Sequence, residues 1–198
     1  MRPASLVLAT FGLLLLLAGA VLWVAGASLD LVLFNAMRRE SVDAFVPLIV
    51  FLTMLGGLAV LGPVALMVAC WLYLRERRAT AAWLLVTVAS GRLMVDGMKL
   101  VLERARPPLE DRLTLVTSHS FPSGHSAGTM VTCLALAMLV PARRRSLLPL
   151  AMLAACAIGW SRIALGVHWP SDVIAGLGFG MIWAGMAERW LPSERARG

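Results

Sequence analysis

A chain of 198 residues that is 60% hydrophobic, with a mean hydropathy of +0.82, is too apolar for a water-soluble domain. The formal charge of +7 rests on arginine, because Lys99 is the only lysine. The basic residues sit in short clusters between apolar segments rather than along one face, which argues against a nucleic-acid partner and fits topology control at a bilayer. Cys70, Cys133 and Cys156 are spread through apolar runs; they make neither a disulfide framework nor a ligand set and read as small core residues.

Taken in order, the first apolar run, about Leu6 to Ala27, is about twice as long as the core of a signal peptide. It reads as an uncleaved first transmembrane helix. Ser28 to Ala44 is a mixed linker to which the sequence assigns no chemistry. A second span, about Phe45 to Leu74, is interrupted by Gly56, Gly57 and Pro63. After the basic turn Arg75-Glu76-Arg77-Arg78, a third span runs from about Ala81 to Leu102 and carries Arg92, Asp96 and Lys99. If the helix continued far enough, these would share one polar stripe with Glu103 and Arg106, a stripe that must face the bundle interior rather than lipid.

Glu103 to Phe121 is a loop rich in charge and proline. The fourth span, about Ser123 to Val140, closes at Arg143-Arg144-Arg145; the fifth covers about Leu147 to Leu165 and the sixth about Pro170 to Trp190. Gly176, Gly178 and Gly180 lack the preceding strand of a nucleotide fingerprint and read as small residues for close helix packing. The sequence therefore predicts an all-α polytopic membrane protein, residues 1–198 forming one six-helix bundle.

Six spans place both termini on one side. Ten arginines fall on that side (Arg2, Arg75, Arg77, Arg78, Arg143, Arg144, Arg145, Arg189, Arg195, Arg197), against five opposite (Arg38, Arg39, Arg104, Arg106, Arg112), so the termini are predicted to be cytoplasmic. The loops that hold His119, His125 and His168 then share the outer face of a bacterial cytoplasmic membrane.

Three pieces converge on that face: Lys99 with Arg106-Pro107, then Pro122-Ser123-Gly124-His125, then Arg162 with His168 and Asp172. Two guanidinium forks and an ammonium suit a phosphoryl group. Ser123 can cap the fourth helix, and Gly124 lets an oxyanion approach the N–H groups at its positive end. Pro170 suits the first turn of the sixth helix, and Asp172, four residues after His168, can fix that imidazole's tautomer, making His168 the candidate nucleophile. His125 is placed to protonate the leaving oxygen and then activate water. No metal set is apparent, since the three cations would repel one. Outside this group, His119 reads as a packing residue, Arg92 and Asp96 as a buried structural pair, and Arg104 and Arg112 as solvated loop charges.

At these residues the chain resembles the type 2 phosphatidic acid phosphatase superfamily. That family's three motifs are matched without departure at Lys99 to Pro107, Pro122 to His125 and Ser161 to Asp172. The resemblance implies a phosphatase that needs no cofactor or metal and forms a phosphohistidine on His168, oriented by Asp172. It assigns His125 as acid and base, and Lys99, Arg106, Ser123, Gly124 and Arg162 as phosphate ligands. Its bacterial members of this length imply a membrane lipid phosphate or diphosphate substrate: undecaprenyl pyrophosphate, phosphatidylglycerol phosphate, phosphatidic acid or a lipid A phosphate. The competing classes are a lipid-phosphate binding or transport protein that lacks turnover, and a hydrolase of a soluble sugar phosphate.

Overall fold

The computed structural model describes residues 3–40 and 42–193; Arg2, Arg195 and Arg197, used above for orientation, lie outside them. Every regular element among the described residues is helical: α1 (Pro3–Ala25), α2 (Ala27–Met37), α3 (Val46–Leu55), α4 (Leu58–Leu74), α5 (Arg78–Leu102), α6 (Gly124–Met138), α7 (Arg144–Ala164) and α8 (Pro170–Ala187), with short 3-10 turns between some of them. By length and composition, three of these stretches can cross a bilayer: Ser5–Ala25, Val46–Leu74 and Pro141–Ala164.

Most residues of α6 are buried, and it is in contact with α4, α5, α7 and α8. Its Met130, Leu134 and Met138 join Phe34, Leu72, Leu84 and Met181 in the main core. On α1, by contrast, Val7, Leu14, Val21 and Val24 are each more than half exposed, an apolar outer surface of the kind that lipid covers.

Small residues let α1 and α8 pack antiparallel with their backbones nearly touching. A Cβ on Gly12 would lie 2.6 Å from the Gly178 carbonyl oxygen, and one on Gly178 would lie 2.4 Å from the Leu16 nitrogen. Gly176 and Gly180 approach α6 as closely, so the glycines serve packing, as their sequence context predicts. The cysteines depart from expectation: Cys70 and Cys156 are exposed and Cys133 is half-buried. In a membrane chain an apolar neighbourhood marks lipid-facing and core positions alike, so hydrophobic context misplaced them.

The predicted linker also departs from expectation, since most of it is α2, with Asp30 and Phe34 buried. The second span breaks into α3 and α4 at Gly56-Gly57, which brings this turn against His125: a Cβ on Gly57 would sit 3.5 Å from His125 Nε2. The polar stripe on α5 stops short, because Glu103 turns left-handed at φ 45° and ends the helix at Leu102; Arg106 reaches the site on a loop instead.

Candidate active site

A cavity of about 370 Å³ opens where α5, α6 and α7 meet the two loops, and Lys99, Arg106, Gly124, His125, Arg162 and His168 all line it. Two predicted site residues stand behind the wall. Ser123 is fully buried as the cap of α6, its Oγ accepting from Ser126 N–H at 3.4 Å and Ser126 Oγ–H at 2.9 Å, so that Gly124 and the helix N-terminus form the surface. Asp172, also fully buried, supports His168.

Local sequence explains the placement of His168. Gly166 reverses the chain after α7 at φ +70°, and a Cβ there would lie 1.9 Å from the Asp111 carbonyl oxygen, so no side chain fits. Pro170 then starts α8, and Asp172 in its first turn accepts the Trp169 N–H at 2.9 Å. The same Oδ2 lies 3.1 Å from His168 Nδ1, while Arg106 Nη1 lies 3.0 Å from Nε2. A carboxylate accepts and a guanidinium donates, so the proton belongs on Nδ1 and the lone pair on Nε2, facing the cavity.

Burial, and then the charges of Arg106, Lys99 and Arg162, hold the His168 pKa well below its ordinary 6.5. The charge of Asp172 is compensated from behind. Arg104 Nη1 donates to Asp172 Oδ1 and to Ser171 Oγ, both at 2.6 Å, and Arg104 Nη2 donates to Asp30 Oδ2 at 2.7 Å. Asp30 in turn accepts the Ser171 N–H at 2.9 Å. The Arg104 side chain is 9% exposed and its guanidinium lies 5.1 Å from the Trp23 ring and 5.7 Å from the Trp169 ring. Ser120 Oγ completes the set by donating to Asp172 Oδ2.

The predicted solvated charge at Arg104 is therefore a buried support, and Arg112 is half-buried with its Nε donating to the Pro107 carbonyl at 2.8 Å. Arg104, Asp30, Ser120 and Thr53 belong to no motif and carried no sequence signal beyond being polar. Thr53, from α3, accepts from Arg162 Nη1 at 3.0 Å and orients that fork across the cavity.

Backbone carbonyls anchor the remaining cations. Lys99 Nζ donates to the His119 carbonyl at 2.7 Å and the Ser120 carbonyl at 3.1 Å, and Arg106 donates to the Ser118, His119 and Val167 carbonyls. His119 thus contributes its main chain. Burial lowers the Arg106 pKa to about 10, against the opposing pull of Asp172 and with help from Arg112, and the group stays charged at neutral pH. His125 is held differently: among the described residues neither of its ring nitrogens has a hydrogen-bond partner. The arrangement is a cationic cradle with a firmly oriented imidazole on one wall and an unfastened one on another.

Comparison with known proteins bears on that geometry. The family model of the PAP2 superfamily matches residues 80–195. A lipid A 1-phosphatase of Rhizobium etli is 39% identical over 110 residues, 50% of this chain and 45% of that protein, so the match spans less than half of the relative's length. An undecaprenyl-diphosphatase of Sulfolobus acidocaldarius is 28% identical over 149 residues, 73% of this chain and 69% of that protein. The crystal structure of a transmembrane PAP2 type phosphatidylglycerolphosphate phosphatase from Bacillus subtilis superposes with a TM-score of 0.80 at 23% identity, over 93% of this chain and 94% of that one, a likeness of fold.

Proposed function

The chain belongs to the PAP2 superfamily, and from that premise we propose that it hydrolyses a membrane-anchored phosphomonoester or diphosphate through a phosphohistidine on His168. The observation that carries the reading is the state of the His168 ring, with Nδ1 engaged by Asp172 and the Nε2 lone pair turned toward the cavity, where Arg106 reaches it. In the first step Nε2 attacks phosphorus, the bond from phosphorus to the leaving oxygen breaks with its electron pair, and a protonated His125 gives that oxygen its proton. In the second, His125 takes a proton from water as the water oxygen attacks phosphorus. The P–N bond then breaks, its pair returns to Nε2, and inorganic phosphate departs.

Lys99, Arg106, Arg162 and the N–H groups at the start of α6 stabilise the charge spread over the equatorial oxygens. Arg104 is a positioning residue, acting through Asp172. Six spans with cytoplasmic termini, among them the largely buried α6 and α8, would put the cavity at the outer surface of the cytoplasmic membrane. An anchored substrate reaches it past Val50, Met54, Leu115 and Val116, the apolar part of the wall.

The test is phosphate release by detergent-purified protein from lipid phosphates, lipid diphosphates, lipid A and a sugar phosphate, with EDTA present and His168→Ala as control. Release that survives chelation and vanishes in the variant supports the mechanism, and the ranking of substrates names the class. Release from none of them would sink the hydrolase reading in favour of binding or transport.

A further inference from the structure

The three cations of the family motifs account for one phosphoryl group, yet a fourth cation lines the same cavity. Arg92 lies on α5 seven residues before Lys99, roughly 10 Å along the helix toward its inner end. Its Nε donates to Asp96 Oδ2 at 2.9 Å, and among the described residues its two terminal nitrogens have no hydrogen-bond partner. A pair that served only structure would engage the fork more fully. Here Asp96 fixes the fork at its base and leaves the outer edge open, with the side chain 35% exposed.

That edge points at the start of α6. A Cβ built on Gly124 would lie 3.2 Å from Arg92 Nη1 and 3.8 Å from Lys99 Cε, so the two side chains converge over the same glycine. Gly124 directly precedes His125 in the first turn of α6, and Arg92 and His125 line the same cavity. Arg92 therefore lies on the side of the general acid, where the leaving group sits.

The charge of the leaving group decides what such a cation is for. A lipid monophosphate releases an alcohol, which is neutral once His125 has protonated it. A lipid diphosphate releases a lipid monophosphate, whose oxygens carry negative charge as the bridging P–O bond breaks. The cavity also has room for more than one tetrahedral group, about twelve waters at ~30 Å³ each.

We propose that Arg92 forms a second phosphate subsite on the leaving-group side, so that the preferred substrate is a lipid diphosphate. His168 attacks the terminal phosphorus, the bond to the bridging oxygen breaks, and the electron pair stays on the lipid-bound phosphate, held by the Arg92 fork. The lipid chain lies along the apolar part of the wall, Val50 and Met54, by which it entered. This inference rests on the hydrolase reading above.

The experiment compares farnesyl diphosphate with farnesyl monophosphate in detergent micelles, measuring kcat/KM for the wild type, Arg92→Gln and Arg92→Lys. Arg92→Gln is expected to lower the preference for the diphosphate ten- to hundredfold, the scale of one lost fork on a charged group. Arg92→Lys, which keeps the charge but not the fork, should fall between. If Arg92→Gln does not elute as a monodisperse peak, Arg92→Lys carries the comparison, again with a reduced preference expected. A preference unchanged in the folded variants, whether both activities fall together or neither does, overturns the subsite and leaves the hydrolase reading standing. Wild-type protein that releases phosphate from neither compound overturns both.

Discussion

The two walls of the cavity that carry histidines are built on different plans. On the His168 wall every polar group is committed: Asp172 accepts from Ser120, Trp169 and Arg104 besides facing Nδ1, and Arg104 is itself held by Asp30 and two indole rings. On the His125 wall the imidazole lacks a partner among the described residues and Arg92 shows an open edge. The difference matches what the proposed mechanism asks of each wall. A nucleophile gains from one fixed tautomer and direction, whereas a group that gives a proton to one oxygen and takes one from another must serve two geometries.

The largest expected effect breaks the comparison at its centre. His168→Ala should lower single-turnover phosphate release by about 10⁴-fold or more, and His125→Ala by about 10²- to 10⁴-fold, because in the proposed mechanism the first forms the intermediate and the second assists it. A His125→Ala loss equal to or larger than that of His168→Ala would reverse the assignment of roles.

Arg104→Gln tests whether the fixed wall depends on its hidden support. Removing one member of a buried ion pair costs about 3–5 kcal/mol of stability in general, so a clear fall in detergent Tm is expected. Arg104→Lys is the more informative variant, since one ammonium cannot reach Asp172, Ser171 and Asp30 together. It should lower kcat about ten- to hundredfold with little change in KM, whereas a merely structural role would lower the Tm and leave the kcat of the folded fraction intact.

Thr53→Ala loosens Arg162 from the other side. With its Nε already lacking a partner, the guanidinium would lose its remaining side-chain anchor, and KM should rise about three- to tenfold. The smallest effect is in pH. Because the folded His168 pKa lies below 6.5, the unfolded chain binds the proton first, and stability falls as pH drops through 6.5. Measured in detergent from pH 8 to 5, the Tm of His168→Asn should fall less steeply than that of the wild type.

What could be read from the sequence was what has a fixed spacing. Lys99, Arg106, Gly124, His125, Arg162 and His168 line one cavity because each sits at or near a segment end on the same side, and alternation of spans predicts that much. The supports have no such rule. Ser171 and Asp30 are 141 residues apart, Arg162 and Thr53 are 109, and Arg104 and Asp172 are 68, so each pairing exists only once the bundle is packed. Asp30 sat in a stretch read as linker because one carboxylate among apolar and basic residues fits a loop as well as a buried helix. Helix positions held to within a few residues, with α7 starting at Arg144 rather than Leu147 and α5 ending before Arg106 could join its stripe.

The packing of α1 against α8 also sets a schedule. During synthesis α1 enters the membrane about 150 residues ahead of the helix whose glycines receive it, an interval on the order of ten seconds at ribosomal rates. Until α8 arrives, Gly12 and Gly19 face lipid and Asp30 waits without Ser171. The same arrival delivers Asp172, so on the proposed mechanism Lys99 of α5 and Arg162 of α7 are in place before His168 is oriented. For the hydrolase proposed above, a nascent chain halted at α7 would lack His168 and Asp172 together, which ties competence to the last event in the closing of the bundle.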